Sequence, residues 1–142
     1  MIEFYTDTCL SYSKSACGHM NITPNFKVRE FACKDGSDPV HVNILIPLIT
    51  QVVRNWFGYP FEPNSAYRTI THNQNEDGAN NSFHIYAKAV DIPAKGDVTP
   101  KMLYDFVDRL CGDCCEVGIY SWGIHVGICN TKKRFVDKSY KG

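Results

Sequence analysis

No apolar run in this sequence reaches the ~18–20 residues that a membrane-crossing helix requires, so membrane insertion is not expected. Charge of one sign is not in excess either: 15 Lys and Arg balance 15 Asp and Glu. A broad nucleic-acid surface needs a basic patch, so nucleic acid is not an expected partner. The opening stretch MIEFYTDTCLSYSKSACG has acidic residues and no apolar h-region. It does not read as a Sec signal peptide, and the expectation is a protein made in the cytoplasm that needs another route to any target outside it. Internal repeats and linkers are lacking too. With 142 residues, 44% apolar and 21% charged, the chain suits one domain with one core.

Cysteine is plentiful, at seven, and odd in number. Without a secretory leader, free thiols are the default, and free cysteine is commonly buried. Cys111-x-x-Cys114-Cys115 is half of a zinc knuckle, but no second Cys/His pair follows at a regular spacing. A Cys9–Cys17 or Cys111–Cys115 disulfide remains open.

Residues 1–23 show no clean period and read as an N-terminal arm before a domain at 24–142. Phe26, Val28 and Phe31 are expected anchors, followed by a turn at Lys34–Ser37. From Asn43 the spacing of Leu45, Leu48, Ile49, Val52, Val53 and Trp56 predicts a helix, capped by Asn43 and ended by Gly58. FEPNSAYR reads as a strand, THNQNEDGANNS as a polar surface loop, and FHIYAKAVDI as a strand. Thr99 and Pro100 open a second helix whose stripe is Met102, Leu103, Phe106, Val107 and Leu110. CCEVGIYSWGIHVGICN reads as a hairpin turning around Ser121–Ile124.

Within NSFHIYAKAVDIP, His84 and Asp91 stand seven residues apart in an apolar setting, and His125 sits in the second arm of the hairpin. Two imidazoles and one carboxylate make a catalytic zinc set with a fourth position open. Ordinary half-buried histidines are the plainer reading on composition alone. An odd separation also puts His84 and Asp91 on opposite faces of an unbroken strand, so one metal can hold both only if the chain bends between them.

The ordered elements Ser65-Ala66-Tyr67-Arg68-Thr69, Ser82-Phe83-His84-Ile85-Tyr86-Ala87-Lys88-Ala89-Val90-Asp91-Ile92 and Trp122-Gly123-Ile124-His125-Val126 resemble the zinc D-Ala-D-Ala carboxypeptidase and peptidoglycan peptidase family. Phage endolysins, murein endopeptidases and vancomycin-resistance dipeptidases belong to it. Ala66 and Ala87 stand where the family pattern has glycine. The lead-in FKVREFACKDGS is similar to phage members. The resemblance implies a small α+β domain with a central antiparallel sheet flanked by helices and zinc in a surface cleft. It implies His84, Asp91 and His125 as ligands to Zn2+, and hydrolysis of a peptidoglycan stem peptide by a monomer, with release through a holin if the role is phage lysis. Arg68 would hold a substrate carboxylate or the oxyanion, or else form a structural salt bridge. Ser82 would touch substrate or cap its loop, and Trp122 would touch substrate.

Two departures from the pattern concern proton transfer. The place three before the last histidine commonly carries Glu or Asp, and here it is Trp122. The place two after it commonly carries Asp, and here it is Gly127. If Tyr120 pairs with His125, Glu116 lies four residues away along the strand, out of proton-transfer reach, and Asp113 is further. His72 is then the candidate base. The alternative function is a zinc-binding module of weak activity that binds cell wall or a protein partner, as in the hedgehog signalling domain of this fold.

Overall fold

The computed structural model describes residues 2, 5–76, 78–79 and 82–142. The parts of the expected arm and polar loop at 1, 3, 4, 77, 80 and 81 lie outside the described residues. The fold is α+β. Its centre is a four-stranded sheet of β5 (Ala89–Pro93), β7 (Gly123–Ile128), β6 (Cys115–Ile119) and β8 (Lys133–Val136), in that spatial order. β7 runs antiparallel to both neighbours, as expected of the central sheet, and β8 adds one parallel edge beside β6. Residues 129–132 cross over and return the chain in the direction of β6.

Alternation along the strands divides the sheet into two faces. Val90, Ile92, Val117, Ile124, Val126 and Ile128 are buried on one. They form a single core with α2 (Leu45–Phe57) and α4 (Pro100–Cys111). Burying each such side chain contributes about 1.5–3 kcal/mol. The other face carries the polar residues described below.

α4 begins where its sequence indicates: Thr99 is extended, its side chain accepts from Met102 N, and Pro100 follows. Met102, expected in its stripe, is exposed, and the buried set is Leu103, Val107 and Cys111. In α2 the expected stripe is rotated. Leu48 and Trp56 are exposed, while Ile46, Ile49, Thr50 and Val53 are buried. Thr50 can occupy this face because its hydroxyl donates to Ile46 O at 2.8 Å. Asn43 does not adopt the cap position, which is Ile44, although its side chain accepts from Leu45 N. Gly58, left-handed at φ 75°, ends the helix as expected.

The segment expected as an arm carries β1 (Cys9–Ser13), α1 (Lys14–Cys17) and β2 (Asn21–Thr23). β1 pairs antiparallel with β4 (Pro39–Asn43), and β2 with β3 (Phe26–Lys27). Part of the expected loop is α3 (Ile70–Asn75), whose cap Thr69 accepts from His72 N at 3.1 Å. Among the described residues FEPNSAYR makes one bridge, Ser65 to Asp91, and Pro63 within it cannot donate to a ladder. All seven cysteines are free, with Cys33, Cys111 and Cys115 buried.

The expected strand from Phe83 begins only at Ala89, because residues 83–87 form a turn. Ala87 has φ 60°, at the place where the resembled pattern has glycine. A left-handed alanine costs about 1–2 kcal/mol, and glycine costs about 0.5–1 kcal/mol in chain entropy. Ala87→Gly is therefore expected to stabilise by about 0.5–1 kcal/mol, read as a melting temperature higher by a few degrees. A lower one would count against this.

Candidate metal centre

Register across the sheet places Asp91 of β5, His125 of β7, Gly118 of β6 and Phe135 of β8 in one row. The next row on the same face is Ala89, Gly127, Glu116 and Lys133. Paired residues share a face and lie side by side, so strand pairing alone brings Asp91 to His125. A Cβ on Gly118 would run into the Phe135 ring. Its absence lets that ring cross β6 to within 6.0 Å of the His125 ring, centroid to centroid.

His84 reaches the same place from the turn before β5, which is the bend that the odd spacing demands. The Ser65–Arg68 stretch holds this turn. Arg68 N donates to His84 O at 3.0 Å, and Asp91 N to Ser65 O at 2.7 Å. His84 Nδ1 lies 2.6 Å from Ala66 O. That partner is a backbone carbonyl and Ala66 is not left-handed, so this bond does not require glycine at 66.

His84 Nε2 is 3.2 Å and His125 Nδ1 is 3.0 Å from the same oxygen, Asp91 Oδ1. One ligand atom from each of the three residues lies within 4.8 Å of the others, and all three residues are buried. The outer nitrogens are both occupied, His84 Nδ1 by Ala66 O and His125 Nε2 by Glu116 Oε1 at 2.8 Å. A carbonyl and a carboxylate only accept, so each outer nitrogen carries a proton and each inner nitrogen, facing Asp91, is left for a second proton or for a metal ion. Three acceptors converging in a buried site require a cation between them, either protons or a metal ion. Two imidazoles and one carboxylate with hydrogen-bonded outer atoms fit zinc.

A sequence profile described as Peptidase M15 matches residues 22–128, a span that holds all three donors. The chain belongs to the Peptidase M15 family. It is a zinc metallopeptidase, as its three ordered motifs imply. No curated protein gives a significant match.

The charges of this M15 peptidase's centre follow from burial and hydrogen bonding. Burial disfavours a charged His125, yet its bonds to Asp91 and Glu116 outweigh this and raise it to about 9. Burial likewise works against a charged Asp91, but His125 and His84 hold its carboxyl well below the usual range. The bond from His125 lowers Glu116. A raised histidine contributes stability below its ordinary value of 6.5 and loses it as pH climbs through about 9. Lowered carboxylates contribute above their ordinary values of 3.8 and 4.5 and lose it toward acid. Metal-free protein is thus expected to be most stable between about pH 4.5 and 6.5, weakening toward pH 9. Zinc displaces the proton on the inner nitrogen, so the loaded protein should not weaken toward pH 9. Denaturant melts with and without chelator check this, and parallel profiles would refute it.

Beside the donors is a pocket of about 490 Å³ whose walls include Arg68, Ser82, Glu116, Tyr120, Lys133 and Phe135. Arg68 is anchored by Nε to Ser65 Oγ at 2.9 Å and Nη1 to Asn73 Oδ1 at 3.2 Å, with Nη2 3.6 Å from Asp91 Oδ2. It therefore has the salt bridge and also a place on the pocket wall. Ser82 Oγ accepts from His84 N at 3.2 Å, capping its turn, and lines the pocket too. His72 does not line the pocket; its Nε2 lies 3.8 Å from Glu76 Oε1. Trp122 is not on this wall either. It stacks on Tyr120, at 4.9 Å between ring centroids, and Tyr120 faces the pocket. Glu116, expected out of reach, touches His125, because Gly118 rather than Tyr120 pairs with His125.

Proposed function

We propose that this peptidase hydrolyses a peptide bond in the peptidoglycan stem, as a D-Ala-D-Ala carboxypeptidase or an L-Ala-D-Glu endopeptidase. The observation that carries the reading is the meeting of the three donors on the wall of a pocket that also holds Arg68 and Lys133. Either scissile bond lies near a substrate carboxylate, which those cations would receive. A volume of about 490 Å³ suits a short stretch of peptide. The setting we propose with it is phage lysis by a monomer released through a holin, in keeping with the similarity of Phe26–Ser37 to phage members.

When bound, zinc supplies Lewis acidity to the scissile carbonyl and lowers the pKa of water toward neutrality. Arg68, held by Ser65 and Asn73, steadies Asp91 and keeps further N–H groups for a substrate carboxylate or the oxyanion. Burial, and then the charges of Asp91, Asp137 and Glu116, push the Tyr120 phenol up. It stays a hydrogen-bond donor at neutral pH. Among the described residues no free carboxylate is aimed into the pocket as a base, since Glu116 is engaged by His125. Lack of a general base typically costs ~10²–10⁴-fold, so slow turnover is expected.

The test is a digest of purified peptidoglycan by zinc-loaded protein, with released fragments weighed by mass spectrometry. Free D-Ala and a split at L-Ala–D-Glu identify the two activities. A zinc-loaded protein that cleaves no wall preparation would instead be a binding module.

A further inference from the structure

Gly127 and Glu116 face each other across the β6–β7 ladder, on the face that carries the metal donors. A Cβ on Gly127 would lie 3.3 Å from His125 Nε2, so residue 127 borders the nitrogen that Glu116 Oε1 contacts at 2.8 Å. The same Cβ would run into the Phe83 ring, which occupies the space above Gly127. A carboxylate therefore has no room on β7 here, and the one that meets His125 comes from the neighbouring strand. Lys133 stands beside Glu116 in the same row, on β8.

We propose that Glu116 is the positioning residue of the metal centre, orienting His125 from β6 in the place left empty by Gly127. By accepting from Nε2–H it keeps the proton on the outer nitrogen. Nδ1 is then left toward Asp91 and His84, and the ring plane is fixed between the two strands. This role rests on the reading of His84, Asp91 and His125 as metal ligands. Outer partners of this kind are worth about 10–100-fold in metal affinity.

The experiment measures zinc affinity by competition with a chromophoric chelator, for the unsubstituted protein, Glu116→Ala and Glu116→Gln. The His125 ring in the zinc-loaded protein is followed by nitrogen NMR. Glu116→Ala is expected to bind zinc about 10–100-fold more weakly and to lose the slowly exchanging Nε2–H signal of His125. Glu116→Gln, whose amide oxygen still accepts, is expected to keep that signal and lose less affinity. A residue that merely supported the fold would change the melt of both variants and leave the affinity of the folded fraction and the His125 signal alone. If Glu116→Ala fails to fold, the Gln variant and a Phe83→Ala/Gly127→Asp/Glu116→Ala variant, which moves the carboxylate to β7, carry the test. In these, zinc affinity restored by Asp at 127 supports the proposal. Unsubstituted affinity with Nδ1 ligation in Glu116→Ala overturns it while leaving the metal centre standing. No zinc binding by the unsubstituted protein overturns the metal centre itself, and this proposal with it.

Discussion

Replacing His84 by alanine is expected to remove both the zinc and the peptidase activity. The free energy of a four-ligand structural zinc site is about 10–16 kcal/mol, or about 2.5–4 kcal/mol per ligand, which is on the order of 100- to 1000-fold in affinity. Asp91 and His125 alone then hold the metal too weakly to survive purification. Metal analysis should fall from about one equivalent to a small fraction of one, and cleavage should disappear with it. Treatment of the unsubstituted protein with a chelator should have the same effect, reversed by added zinc. His84→Ala also leaves Ala66 O without its partner, so a modest drop in melting temperature is expected as well. Retention of the full equivalent by the folded variant would refute the assignment of His84 as a ligand.

Arg134→Ala is expected to cost roughly 3 kcal/mol of stability. The guanidinium joins α4 to two strands. Nε donates to Asp108 Oδ1 at 2.6 Å, Nη1 to Cys115 O at 2.6 Å and Lys133 O at 2.8 Å, and Nη2 to Gly112 O at 2.6 Å. The ion pair itself contributes at most about 1 kcal/mol, because Asp108 is partly open to solvent. Most of the cost is the set of carbonyls left without a donor. At this chain length it amounts to a melting temperature lower by roughly 10 °C. Arg134→Lys should recover less than half, since an ammonium cannot span these acceptors as the fork does. Lys133 and Phe135, which flank Arg134 on β8, line the pocket. Activity per folded molecule should therefore fall too. An Arg134→Ala protein that melts within a degree or two of the original would show that β8 is held by its ladder alone.

The sequence by itself singled out the three residues whose ligand atoms the fold gathers within 4.8 Å of one another, His84, Asp91 and His125. Composition alone favoured ordinary half-buried histidines, and it was the three ordered motifs that pointed to a metal set. The seven-residue spacing required a bend before Asp91, and the turn at 83–87 is that bend. The start of α4 was legible for a similar reason: Thr99 and Pro100 act on the backbone next to them, and local chemistry survives whatever packs around it. Other features depended on contacts between distant segments. The face that α2 buries was chosen by the sheet beneath it, so Trp56 is exposed although its spacing fits an apolar stripe. The place of β8, parallel to β6, rests on its ladder with β6 and on Arg134 meeting Asp108 of α4 and the carbonyls of Gly112 and Cys115. The hairpin register mattered most for the site. The innermost pair is Ile119 with Ile124 rather than Tyr120 with His125. Moving the turn by one residue shifts each partner by two, which keeps the same face but changes the neighbour. That shift sets Gly118 opposite His125 and brings Glu116 beside it. No spacing along the chain encodes this, because the register is the outcome of packing Val117, Ile119, Ile124 and Val126 into one core.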